Sequence, residues 1–198
     1  MKNQYLFDYL AAFVTIVLAL ALSDILMSLH RLLVARGRVV WNVIPLAATL
    51  FVFLSVISEF FSVRIFADVT AVPFFYLVLL VCVSGLMAMA AFTVLPDEVP
   101  AAGLSLWDFY LERRAQLWSL IVLAWAGDIA RYFSHAHILG DVSRAIAVMT
   151  SPSYFVGESG VLVVAVLLAW RKEPWIQGIG MIVLFAVSIA NWHNWNIQ

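Results

Sequence analysis

Five charged residues lie inside or at the edge of long apolar runs, and any chemistry in this chain would run through them: Asp24, Glu59, Asp128, Arg131 and Glu158. An ionised side chain at the centre of an apolar span costs on the order of 2.5–3.5 kcal/mol, so it is expected to face a partner, a cavity or an interface. Helical spacing groups them by face. Asp24, Ser28 and Arg31 stand at i, i+4 and i+7, and Ser55, Glu59 and Ser62 form a second stripe. Asp128 and Arg131 are an i, i+3 pair with Tyr132 next on the same face, while Glu158 and Ser159 sit between Gly157 and Gly160. Carboxylates and hydroxyls on one stripe suit a proton or cation relay, or a solute site where several stripes converge. The same spacings suit local pairing, Asp24 with Arg31 and Asp128 with Arg131, or charges reaching out to a nearby interface.

Other reactive residues offer less. The lone Cys82 lies in an apolar run and reads as a small hydrophobe. His30 falls at one end of its segment and His135, His137 and His193 toward the other, so only His193 with His135 or His137 could face each other across a haem. Neither a metal site nor a cofactor is expected, and no catalytic residue is assigned. The net charge of −1 removes the basic footprint of a nucleic-acid binder.

The elements that position the charged residues follow from composition. The chain is 65% hydrophobic and 12% charged, with a mean hydropathy of +1.01, far from the balance of soluble domains. Its expected solvent is a lipid bilayer. Six segments approach the roughly 20 apolar residues that a crossing needs: about 6–33, 41–63, 73–94, 115–133, 153–170 and 175–192. The expected fold is an all-α, polytopic transmembrane helical bundle forming one integral membrane domain over residues 1–198. Ala19-Leu20-Ala21 resembles a signal-peptide cleavage site, but apolar residues continue to Leu33, so the segment is kept as a span.

The fourth span is the weakest, because it carries Asp128 and Arg131. Ser105-Leu106-Trp107-Asp108 is a capping pattern that predicts an interfacial helix leading into it. A short surface helix is expected over 139–151. Tyr5, Tyr9, Trp41, Tyr76, Trp107, Trp118, Trp170, Trp175, Trp192 and Trp195 fall near predicted span ends, where amphipathic rings settle at headgroups. Small residues Ser84, Ala88 and Ala91, and Gly178 with Gly180, predict close helix packing.

Orientation follows from the cations. With the N-terminus outside, Arg31, Arg36, Arg38, Arg113, Arg114, Arg171 and Lys172 fall on the cytoplasmic side, against Lys2, Arg64, Arg131 and Arg144. Both ends are then non-cytoplasmic, as in a multi-pass protein of a bacterial inner or plasma membrane. On that orientation Glu59, Asp128 and Glu158 predict an outward-facing polar vestibule with a cation preference. Ser23-Asp24-Ile25 and Gly127-Asp128-Ile129 repeat at an offset of 104 residues, and Val72-Pro73-Phe74 and Glu173-Pro174-Trp175 at 101. Such offsets would arise from a 3+3 inverted repeat, an architecture common in transporters.

Gly157-Glu158-Ser159-Gly160 resembles the G-x-S-G motif around the nucleophile of rhomboid intramembrane proteases. That resemblance implies Ser159 as nucleophile and His193 as its base. It is confined to these residues: the rhomboid serine sits on the fourth core span rather than the fifth, and Asn196 stands where that family has a glycine. The leading expectation is a transporter or channel for a small solute or ion, proton-coupled through the charged residues. The alternative is a non-catalytic accessory, assembly or sensory membrane subunit, packed on a membrane-protein partner or as a homo-oligomer.

Overall fold

The computed structural model describes residues 2–62, 74–138 and 159–193, with Ser143 and Ile146 besides; for 2–8, 135, 136, 138 and 191–193 only the backbone is described. Within these residues the chain is almost wholly α-helical. The helices are α1 (Lys2–Val34), α2 (Val43–Ser62), α3 (Phe74–Val94), α4 (Leu106–Ile138), α5 (Gly160–Trp170) and α6 (Pro174–His193). Three are long and apolar enough to cross a membrane: the Tyr9–Val34 part of α1, α2 and α3. Gly160–Trp170 and Pro174–Ala190 are shorter apolar helices.

Each boundary has a local cause. A 3₁₀ turn (Arg36–Arg38) follows α1 and leads into β1 (Val39–Val40), which pairs in parallel with β2 (Leu104–Ser105) just before α4. Asn42 caps α2, its Oδ1 accepting the Ile44 N–H at 2.9 Å. Pro45 lies in the first turn, where its missing N–H is not needed. The Ser105 hydroxyl accepts the Asp108 N–H at 3.3 Å and so opens α4, as the capping pattern predicts.

The core stripe of α1 is Val14, Leu18, Ala21, Ile25, Ser28 and Leu32, all buried at helical spacing. Its opposite face, including Phe13, Ile16, Leu20, Met27 and Leu33, is exposed. At the centre lies α3, packed against α1, α2 and α4. Its small residues Ser84, Ala88 and Ala91 are buried, which lets neighbouring helices approach. Phe51 of α2 meets Trp118 and Trp125 of α4 and Phe185 of α6, with ring centroids 5.9, 6.3 and 6.2 Å away.

Consecutive helices alternate in direction. Three contacts gather the same set of ends: Arg31 with Asp97, β1 with β2, and Tyr110 with Gln177. The end of α1, start of α2, end of α3, start of α4, end of α5 and start of α6 therefore share one end of the bundle. Arg31, Arg36, Arg38, Arg113, Arg114, Arg171 and Lys172 all belong to it.

Several expectations need correction. The helix expected to lead into span four is continuous with it: α4 runs unbroken from Leu106 to Ile138. Trp118 and Tyr76 are core residues, 0% and 2% exposed, whereas Trp41, Trp170 and Trp175 are exposed near helix ends. The expected surface helix at 139–151 and the first residues of span five lie outside the described residues.

The paired glycines of α6 also separate. A Cβ at Gly180 would come within 2.6 Å of Leu168 Cδ2 and 3.1 Å of its Cγ, while one at Gly178 would meet nothing within 4 Å. Replacing glycine by alanine in a helix gains about 1 kcal/mol of propensity, but forcing an atom into a packed core costs about 1–3 kcal/mol. Gly178→Ala should therefore be neutral or stabilising in detergent denaturation and Gly180→Ala destabilising; similar midpoints for the two would contradict this packing.

Candidate functional site

Three of the charged residues, Glu59, Asp128 and Arg131, meet at the half of the bundle away from the arginine-rich end. Glu59 lies in the last turn of α2, one turn after Ser55, and its carboxylate is turned inward because this stripe packs on α3 and α4. Arg131 of α4 grips it with both ends of its guanidinium: Nη1 donates to Oε1 at 2.8 Å and Nη2 to Oε2 at 3.0 Å. The two side chains are 3% and 6% exposed, so the pair is buried as well as bidentate.

Hydroxyls complete the carboxylate's shell. The Ser84 hydroxyl of α3 donates to Oε1 at 3.2 Å, and Ser62 Oγ lies 3.0 Å from Oε2 while accepting from Arg131 Nη2 at 3.1 Å. Arg131 also holds Asp128, one turn earlier on its own helix, in a close ion pair. Asp128 is the more open of the two carboxylates, with 30% of its side chain exposed. Tyr76 is buried beside all three charged groups. Gly127 allows the approach of α4 to α3, since a Cβ there would stand 2.6 Å from Val83 Cγ2.

Of the five residues singled out in the sequence, Glu59, Asp128 and Arg131 thus form one cluster. Asp24 stands apart on α1, partly buried, with no ion pair to any described residue. Its neighbour on the stripe, Ser28, faces the core, and Arg31 turns away to donate to the Asp97 backbone oxygen at 2.8 Å, 3.9 Å from that carboxylate. The expected Asp24–Arg31 pair is therefore replaced by a contact between α1 and the segment after α3. Glu158, and with it the third wall of the expected vestibule, lies outside the described residues. The Glu59–Arg131 pairing, Ser84 as a donor and buried Tyr76 were not legible in the sequence, which read Ser84 only as a small packing residue and Tyr76 only as an interfacial ring.

A second polar network lies at the opposite end, formed of uncharged groups. Gln177 of α6 is fully buried; its Nε2 donates to the carbonyls of Leu168 at 2.9 Å and Arg171 at 2.6 Å. These are among the last carbonyls of α5, which have no partner within their own helix. Gln177 Oε1 accepts from the Tyr110 hydroxyl, which accepts from Trp118 Nε1 at 2.9 Å. Burial outweighs the opposing effects of the Trp118 hydrogen bond and the Arg114 charge and pushes the Tyr110 phenol up to about 12, so it remains a donor. Among the described residues no group of three His, Cys, Asp or Glu could hold a metal ion.

Breaking a buried pair by removing one partner typically costs about 3–5 kcal/mol, whereas removing both charges is often neutral. Arg131→Met should therefore be severely destabilising in detergent denaturation, and adding Glu59→Leu to it should recover most of the loss. Asp128→Asn should cost about 1 kcal/mol, the net worth of one hydrogen bond, because it leaves the bidentate pair intact; a loss as large as that of Arg131→Met would show that Asp128 is the principal partner. Comparison with protein-family models, with curated proteins and with solved structures finds no match for this chain.

Proposed function

We propose that the chain is a single six-span integral membrane domain, N-out and C-out, serving as a non-catalytic accessory, assembly or sensory subunit rather than as the carrier of a solute. The observation that carries this reading is the closure of the charged cluster. Both Glu59 oxygens are occupied by Arg131, Ser62 and Ser84, and the carboxylate is almost fully buried. The groups that would replace the hydration shell of a solute or ion are already in use within the chain. The cluster acts instead as a clamp among α2, α3 and α4, leaving the apolar outer face of α1 for lipid or a membrane-protein partner.

The six crossings and their orientation draw support from the alternating helix directions and from seven cations at one end of the bundle. The 3+3 inverted repeat draws support from the opposite directions of α1 and α4, which carry Asp24 and Asp128 at an offset of 104 residues. The match is incomplete: α1 packs on both α2 and α3, whereas α4 packs on α5 but has no comparable contact with α6.

One observation favours the transport reading as a second possibility. Asp128 is the open member of the cluster, with 30% of its side chain exposed, so a proton or monovalent cation can reach its carboxylate. Proteoliposomes enclosing a pH-sensitive dye separate the two readings. The subunit reading expects no proton or potassium flux beyond protein-free vesicles; flux abolished by Asp128→Asn, with the fold intact, would assign transport instead. Topology is tested separately in a Cys82→Ala background. Arg36→Cys and Lys172→Cys should react with an impermeant maleimide from the cytoplasmic side alone, and Asn3→Cys from the other side; labelling of all three from one side would overturn the six-span arrangement.

A further inference from the structure

The arginine-rich end holds an open cavity of about 600 Å³ between the end of α1 and the segment joining α3 to β2, lined by His30, Arg31, Val34, Arg38, Asp97 and Glu98. Two anchors distant in sequence fix its walls. Arg31 Nη1 donates to the Asp97 carbonyl at 2.8 Å, and β1 pairs with β2 immediately beyond. Gly103, at φ +97°, is held against the chain at Arg38, where a Cβ would stand 3.0 Å from the Arg38 carbonyl oxygen.

We infer that this cavity binds the headgroup of a zwitterionic phospholipid with a primary ammonium, a phosphatidylethanolamine, with its phosphate against the Arg31–Arg38 side and its ammonium against Asp97 and Glu98. The inference rests on the membrane reading above. Charge decides the class of headgroup: two guanidinium groups and two carboxylates line one cavity, so a purely anionic headgroup would meet repulsion from half the wall. The ammonium must also donate hydrogen bonds to the carboxylates, which a primary amine can do and a quaternary one cannot. Both carboxylates are reachable: the Asp97 side chain is 70% exposed, with a loose 3.9 Å contact to Arg31, and Glu98 is exposed as well. The attached acyl chains have a path, because Val34 lines the cavity while 73% exposed, and Leu33, Val40 and Trp41 continue the apolar surface beside it. Arginines and a tryptophan at one level mark a headgroup position.

The test uses the full chain in nanodiscs of phosphatidylcholine doped with equal amounts of phosphatidylethanolamine and phosphatidylglycerol, reading retained lipid by native mass spectrometry after detergent extraction. Phosphatidylethanolamine should be retained roughly fivefold over phosphatidylglycerol, about the worth of one charge contact at a membrane surface. Arg38→Gln should abolish retention of both, and Glu98→Lys should turn the preference toward phosphatidylglycerol. Equal retention of the two lipids by the unaltered chain, or a preference unmoved by Glu98→Lys, would overturn the inference while incorporation leaves the membrane reading standing. Failure to enter nanodiscs would overturn both. Soluble phosphoethanolamine raising the thermal midpoint as much as the lipid does would reassign the cavity to a free phosphate ester.

Discussion

Arg131 is the side chain on which the rest of this structure depends. It stands on α4, is gripped across the core by Glu59 of α2, and holds Asp128 on its own helix. In an apolar interior no water can take the place of a lost partner, so α2 and α4 cannot separate at this level without leaving a bare buried charge. Ser84 and Tyr76 bring α3 into the same arrangement. Three helices are thereby fixed at one height by a few polar atoms. The apolar contacts of the Phe51, Trp118, Trp125 and Phe185 rings then set the distances around them.

The opposite end reaches a comparable result by other means. Gln177 uses its amide to satisfy the last carbonyls of α5 and the Tyr110 hydroxyl together, joining α4, α5 and α6. A neutral amide has no ionic desolvation to offset, and three helices meeting at a tight turn leave room for little else. On α2, Thr49 and Ser55 turn their hydroxyls back on their own helix, to the Pro45 and Phe51 carbonyls, so they neither seek nor disturb a neighbour.

Local features of the fold were legible in the sequence because their causes are local. Apolar runs and the capping Ser105 mark the helices, and the small residues of α3 mark its close packing. Glu59, Asp128 and Arg131 could be read as exceptional, since a charge in an apolar run stands out whatever the tertiary structure. Their partnership could not be read. Glu59 and Arg131 are far apart in the chain, and Arg131 already had a nearby candidate in Asp128. Asp24 shows the converse: its spacing to Arg31 was right for a pair, yet Asp97 took the arginine from a segment that no helical period connects to α1. Trp118 and Tyr76 misled for a related reason, because an amphipathic ring near the end of an apolar run fits a headgroup region and a buried core position equally well.

The unbroken length of α4 carries a mechanical consequence. At about 1.5 Å per residue its 33 residues extend about 50 Å, well beyond the roughly 30 Å of a hydrocarbon core. One rigid rod thus bears Tyr110 and Trp118 toward one end and Asp128 and Arg131 toward the other. A stiff rod pinned at two heights pivots as a whole: a tilt imposed at either pin is felt at the other with no hinge between to absorb it.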